Sequence, residues 1–242
     1  MRRVLEVRRL GTVSYPDALA MQRALVEERR ADRVPDLLLL LQHPAVITLG
    51  VKGDGGRSNV VATPERLSEL GIAVEETGRG GDVTYHGPGQ IVGYAIIDLR
   101  PDRQDVHRYV RDLEEVMIRT CADYGLDAGR IAGLTGTWLR TDGAAEKIGA
   151  IGVRISRWIT SHGFAFNVST RLDHFQLIVP CGIADRGVTS LERATGRAIP
   201  LKDAEARVIA HFSDVFERDA VEAPALHEGE SPGAPSSAGD AA

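Results

Sequence analysis

Along the 242-residue chain, apolar positions recur with two periods, one suited to strands and one to helices. Residues 4–10 read as a strand. Ser14-Tyr15-Pro16-Asp17 then carries a helix-start signature, after which Ala18, Met21 and Leu25 share one helical face opposite charged positions. Residues 36–42 form a continuous apolar run, the pattern of a strand buried on both faces, and residues 45–49 supply another. Thr63-Pro64 opens a short helix predicted to stop at Gly71. Residues 72–76 and 91–99 read as strands on either side of a glycine-dense segment. The clearest amphipathic helix spans 105–124, with Val106, Tyr109, Val110, Leu113, Val116, Met117 and Cys121 as its apolar stripe.

From Thr137 onward strands dominate. Residues 147–157 and 160–168 are close enough to pair as a hairpin, followed by a short helix at 188–195 and a longer closing one at 201–218. Together these predict an α+β (mixed α/β) fold, with mixed sheets packed against helices and one domain over residues 1–220. Residues 221–242 are mainly Ala, Pro, Gly and Ser, too poor in large apolar side chains to offset ordering entropy, and are expected to be a disordered acidic tail.

Charge sharpens that division. The chain has 29 Lys and Arg against 34 Asp and Glu, a formal charge of −5. Four of the acids and none of the bases lie in 221–242, which leaves the body near neutral. The balance argues against a nucleic-acid binder. No apolar run approaches the roughly 18 residues of a membrane helix, and the first residues lack a signal-peptide core. With two cysteines in unlike settings, a disulfide-stapled secreted fold is not expected, and a cytoplasmic location is. Of the bases only Lys52, Lys147 and Lys202 are lysines, and lysine can give up a proton where arginine effectively cannot.

Candidate chemistry collects at three places. Gly78 to Gln90, including Arg79-Gly80-Gly81-Asp82-Val83-Thr84-Tyr85-His86, interleaves hydrogen-bond donors with bare backbone, as a ligand wall would; a mobile surface loop is the alternative. Lys147 opens an otherwise small and apolar strand, Lys147-Ile148-Gly149-Ala150-Ile151-Gly152, either for chemistry or as a strand-end lysine reaching water. Cys181 follows an apolar run and precedes Gly182, where a thiol can be presented at a turn, whereas Cys121 sits on a helix stripe as a small hydrophobe. Gly50 to Ser58 resembles a phosphate loop but fails its spacing. Metal-site and serine-hydrolase motifs are absent, and no metal or cofactor is expected.

These three motifs, with Pro180-Cys181-Gly182-Ile183 completing the third, together resemble the lipoyl(octanoyl) transferases of lipoate biosynthesis over roughly residues 4–218. The resemblance implies a fold related to biotin and lipoate protein ligase catalytic domains. It implies an acyl-thioester on Cys181 assisted by Lys147, and substrate contacts from Arg79, Gly80, Gly81, Asp82, Val83, Thr84, Tyr85, His86, Ala150, Ile151, Gly152, Gly163, Phe164 and Ala165. Implied partners are octanoyl-acyl carrier protein as donor, and lipoyl domains of 2-oxoacid dehydrogenase complexes and the glycine cleavage H protein as acceptors. Because such partners are acidic, a positive rim around the site is expected. The lack of heptads favours a monomer. Gly149, Gly152 and Gly163 are expected to leave room for an eight-carbon chain. An ATP-dependent ligase on the same fold, a silent binding module and a cysteine hydrolase paired through His86 are the competing readings.

Overall fold

The computed structural model describes residues 2–52, 57–140, 143, 145–179 and 186–223. In chain order the elements are β1 (Arg3–Thr12), α1 (Tyr15–Arg30), β2 (Asp36–Gln42), β3 (Val46–Leu49), α2 (Pro64–Glu69), β4 (Ala73–Glu76), β5 (Thr84–His86), β6 (Gln90–Ile96), α3 (Val106–Ala122), β7 (Ala128–Ile131), β8 (Leu134–Leu139), β9 (Glu146–Ser156), β10 (Ile159–Asn167), α4 (Leu191–Thr195), α5 (Leu201–Phe216) and β11 (Arg218–Glu222). Side-chain caps start several helices as the sequence predicts: Ser14 accepts from the Asp17 amide, Thr63 from Arg66 and Asp105 from Arg108.

Eight strands form one mixed sheet in the order β11-β1-β2-β6-β10-β9-β8-β7, and three form a small sheet, β4-β3-β5. Strand β2 is buried along Leu37 to Leu41, and its side chains alternate between two cores. Leu38 and Leu40 join the main core under α3 and α5, while Leu37, Leu39 and Leu41 pack against α1. A third cluster, with Ile47, Leu49, Tyr85 and Ile178, holds the small sheet together. The small sheet and α1 sit on the same side of the large sheet as Val92 and Tyr94, and the space left there becomes the site.

The mixed α+β architecture agrees with the sequence pattern. Four elements depart from it, the closing helix and strands β7, β8 and β11. The closing helix ends at Phe216, where Glu217 takes a left-handed conformation, and the chain then runs as β11 parallel to β1. The boundary expected at 220/221 therefore falls inside a strand: Val221 pairs with Glu6, Glu222 pairs with Val7, and Ala223 donates to the Val7 carbonyl. The short polar sequence of β11 has no apolar alternation to announce it; backbone pairing and the buried Arg218 hold it. Strands β7 and β8 extend the sheet beyond β9 and were not distinguished in the pattern. Residues 224–242 lie outside the described residues.

Candidate active site

The glycine-dense segment is sewn between the two sheets. From the end of β3, the amides of Gly50, Val51 and Lys52 donate to the carbonyls of Asp82, Arg79 and Gly81 at 3.0–3.1 Å. On its other side the Gly80 amide donates to Val153 on β9 at 2.9 Å. A Cβ on Gly152 would lie 2.9 Å from the Gly80 carbonyl and 3.0 Å from Arg79 Cδ, and one on Gly50 would collide with Gly81. The glycines thus let three backbones approach, which excludes the mobile-loop alternative.

Beneath this strap lies a cavity of about 400 Å³, within the range of small-molecule sites. All the substrate-contact positions implied by sequence border it except Tyr85. Tyr85 is the correction. It alternates away from Thr84 and His86 into the small sheet's core, where its hydroxyl is hydrogen-bonded to His174 Nδ1 and burial pushes its pKa up to about 12. Ile151 and Phe164, which pair across β9 and β10, border the cavity while packing into the main core. The neighbouring pair, Ala150 and Ala165, carries only methyls.

The three glycines expected to leave room for the acyl chain do border the cavity, but protein fills the space each leaves. A Cβ on Gly149 would strike Met117 Sδ, one on Gly163 the Gly93 carbonyl, and one on Gly152 the strap. They are glycine because backbone and side chains pack there.

Arg79 is 7 % exposed and spends its guanidinium on the Thr48 carbonyl (2.6 Å), the Thr48 hydroxyl and the Gly80 carbonyl. It is therefore a buried wall and not part of a surface rim. Asp82 is also structural, accepting from Asn59 Nδ2 and the Val83 amide at 2.8 Å each.

Three histidines, all buried, lie in this region: His86 and His162 feel the Arg79 charge, and His43 packs against His86. His43 Nδ1–H donates to the Val13 carbonyl, so its Nε2 accepts from the Tyr94 hydroxyl, both at 2.7 Å. His86 Nδ1–H donates to Gln90 Oε1 at 2.7 Å; Gln90 is oriented by donating to Asn167 Oδ1, and Asn167 donates to the Thr189 carbonyl. His162, at the end of the cavity near Tyr94, has an Nδ1 with no hydrogen-bond partner. Burial depresses all three, His43 and His162 to about 4 and His86 to about 3, with Arg79 adding to the effect at His86 and His162. All three are neutral at pH 7. Among the described residues no group of His, Cys, Asp and Glu is arranged to hold a metal ion.

Lys147 stands at the other end of β9 and borders the cavity. Its amide donates to the Gly187 carbonyl and its carbonyl accepts from the Thr189 amide, both at 2.9 Å. Its ammonium lies 4.6 Å from the centre of the Trp138 ring. Arg186, Gly187 and Val188 border the same cavity. Cys181 lies outside the described residues, as do Gly53 to Gly56 of the phosphate-loop look-alike. Cys121 is fully buried on α3, and burial pushes its thiol up to about 12.

Among the described residues, Lys52, Arg79, Lys147 and Arg186 border the cavity, and Asp82 is the one carboxylate there. Several bordering residues carry no signal of a site in the sequence: Tyr15, Tyr94, Trp138, His162, Asn167 and Arg186. Tyr94 comes nearest to one, since a tyrosine inside a wholly buried strand needs a partner for its hydroxyl. The others come from separate elements whose convergence no local pattern announces.

Residues 14–213 match the family model described as the lipoyl protein ligase A/B catalytic domain. An octanoyltransferase of Myxococcus xanthus is 51% identical over 91% of this chain, which spans 62% of that relative's length. One from Acidobacterium capsulatum is 54% identical over 78% of this chain and 80% of its own. Among solved structures, the bi-partite lipoate protein ligase of Thermoplasma acidophilum superposes with a TM-score of 0.69 at 18% identity, covering 92% of this chain and 87% of that one. The Aquifex aeolicus biotin protein ligase in complex with biotin and ATP gives 0.52 at 13%, over 88% of this chain and 70% of that one. The ligases share the fold, and the close sequence relatives are acyltransferases. The chain belongs to the octanoyltransferase family within the lipoyl protein ligase A/B catalytic domains.

Proposed function

We propose that this acyltransferase moves an octanoyl group from octanoyl-acyl carrier protein to the ε-amino group of a lysine on lipoyl domains, through a thioester on Cys181 assisted by Lys147. The observation that carries the reading is the position of Lys147 at the cavity, hydrogen-bonded to the chain that returns from Cys181 at Gly187 and Thr189. On the other side of Cys181, the Val179 amide donates to Asn59, and Asn59 donates to Asp82 in the cavity wall.

The thiolate is the nucleophile. With reference values of about 8.5 for Cys and 10.4 for Lys, proton transfer from thiol to amine is favourable by about 2.6 kcal/mol before desolvation. The resting pair is thus thiolate and ammonium. Cys181 attacks the thioester carbonyl of the octanoyl-phosphopantetheine arm, forming the enzyme thioester and releasing pantetheine thiolate, which takes the proton of Lys147. Neutral Lys147 then accepts a proton from the acceptor's ε-ammonium, and the free amine attacks the Cys181 thioester. Amide formation expels the Cys181 thiolate beside the Lys147 ammonium, and the second proton lost by the acceptor nitrogen leaves to solvent. Thioester to amide is downhill, so no ATP is consumed.

Among the described residues, Lys52 and Arg186 at the cavity support acidic partners. Lipoyl domains of 2-oxoacid dehydrogenase complexes and the glycine cleavage H protein are the proposed acceptors, met by a monomer in the cytoplasm. The test is intact-protein mass spectrometry after incubation with octanoyl-acyl carrier protein without ATP. One octanoyl group on Cys181, absent in Cys181→Ala, and its transfer to an apo lipoyl domain are expected. Acylation of Cys121, or a requirement for ATP, would overturn the reading.

A further inference from the structure

We infer that Trp138 is a positioning residue for Lys147, gripping its ammonium form through the indole face and thereby setting its protonation. The inference deepens the mechanism proposed above and rests on Lys147 having a part in it.

Trp138 and Lys147 are register partners on β8 and β9, next to an irregularity in the pairing between Thr137 and Trp138. Such bulges re-aim side chains, and they recur beside active sites. Here the indole, 1 % exposed, carries Lys147 Nζ at 4.6 Å from its centre and Arg186 Cζ at 5.8 Å. The lysine stem is confined as well: a Cβ on Gly136 would touch Lys147 Cε at 3.4 Å and press on the Gly149 carbonyl. Trp138 Nε1–H is buried without a hydrogen-bond partner, so the indole is not placed to satisfy that donor. Its position is explained by what its face does.

An aromatic face attracts a cation and gains little from a neutral amine. Trp138 therefore raises the ammonium preference of Lys147, opposing the desolvation that would lower it. Arg186 on the same ring works the other way, as a second positive charge. Among the described residues, two carboxylates on the packed elements have partners of their own. Glu146 faces Arg193 at 3.5 Å, and Glu114 on α3 is paired with Arg111 and Arg130 while accepting from the Gly136 amide. Trp138 thus ties the position of the Lys147 nitrogen to its charge, beside whatever the Cys181 thiolate contributes. During the cycle the grip loosens when Lys147 hands its proton to the leaving thiol, and returns when it takes one from the acceptor amine.

The chain has two tryptophans, which makes a spectroscopic test direct. In a Trp158→Phe background, emission from Trp138 is expected to follow one titration between pH 7 and 11, and Lys147→Met is expected to abolish it. Emission that is flat, or that titrates unchanged in Lys147→Met, overturns the inference whatever the protein catalyses. A second arm reads thiol alkylation of Cys181 against pH. Trp138→Leu should move the apparent thiolate pKa up by about one unit, a tenfold change in thiolate at fixed pH, and Trp138→Phe, which keeps an aromatic face, by less. If Trp138→Leu lowers kcat without moving the alkylation profile, the residue is structural. Emission that titrates while Cys181 is never acylated would keep the Trp138–Lys147 coupling and remove the acyl-transfer reading.

Discussion

Two buried polar clusters lie on this fold, and they are built on opposite rules. At the edge formed by β2, β11 and the end of α1, Asp36 is 2 % exposed and has both oxygens occupied: Oδ1 accepts from Arg29 Nε and the Asp98 amide, and Oδ2 from Arg218 Nε, all within 3.0 Å. Charge meets charge, and the cluster ties a helix, two strands and the loop after β6 together. At the cavity His86 and His162, with His43 behind them against His86 and Tyr94, are as deeply buried but neutral, and His162 Nδ1 has no hydrogen-bond partner. A cluster that satisfies its own charges is a fastening. One that holds titratable groups neutral beside a cavity has the makings of a site, although the fastening too keeps an unpartnered nitrogen, Arg218 Nη2.

The two clusters should fail in different pH windows, and this is the largest effect expected. For the histidines, the folded pKa values of about 3 to 4 lie below the ordinary 6.5, so the unfolded chain binds more protons in between. Stability is then lost as pH falls from about 6.5 toward 4. Three such groups at 1.36 kcal/mol each set a ceiling of about 4 kcal/mol per pH unit. Asp98 behaves differently: burial would raise its pKa, but the hydrogen bonds and charge of Arg100 hold it below 3.8. Its contribution persists through that window and is lost only further down. Urea unfolding between pH 7 and 4 checks this; a flat profile from 6.5 to 4.5 would mean that the histidines are not buried neutral.

Cutting the fastening comes next in size. Asp36→Ala strands Arg29 and Arg218 without their shared carboxylate, and breaking a buried pair this way typically costs about 3–5 kcal/mol. At a temperature where the variant remains folded, its KM for the acyl donor should match wild type. A raised KM with unchanged stability would reverse the roles assigned to the two clusters.

Legibility from sequence divides along the same line. The site's backbone scaffold was readable because its reasons are local: the glycines at 78, 80 and 81 announce close backbone approach, and Lys147 stands out on an apolar strand. Tyr85 was misplaced because strand alternation decides its side, and a motif read as a block carries no alternation. Gly149, Gly152 and Gly163 were given the right neighbourhood and the wrong purpose, since sequence does not tell whether missing side-chain volume is taken by a ligand or by Met117, Arg79 and the Gly93 carbonyl. Tyr15, Trp138 and His162 come from α1, β8 and β10, and only the sheet order brings them together. The fold class followed from periodicity, but β11 did not, because a short polar edge strand is specified by the neighbour it pairs with.

The smallest effect tests the cavity cluster most closely. His162 has a φ of +57°, a conformation that asparagine tolerates better than most residues, so His162→Asn replaces the ring without forcing the backbone. The substitution puts a smaller carboxamide, still polar, at the buried position and removes some ring packing against Tyr94. At pH 7 the loss should be about 1 kcal/mol. The acid slope should fall by about a third, because one of three neutral histidines no longer has to be charged. Transfer of octanoyl should slow several-fold, since the ring borders the cavity. A stability loss at pH 7 as large as that of Asp36→Ala, with transfer per folded molecule unchanged, would place His162 with the fastenings and leave His43 and His86 as the histidines of the site.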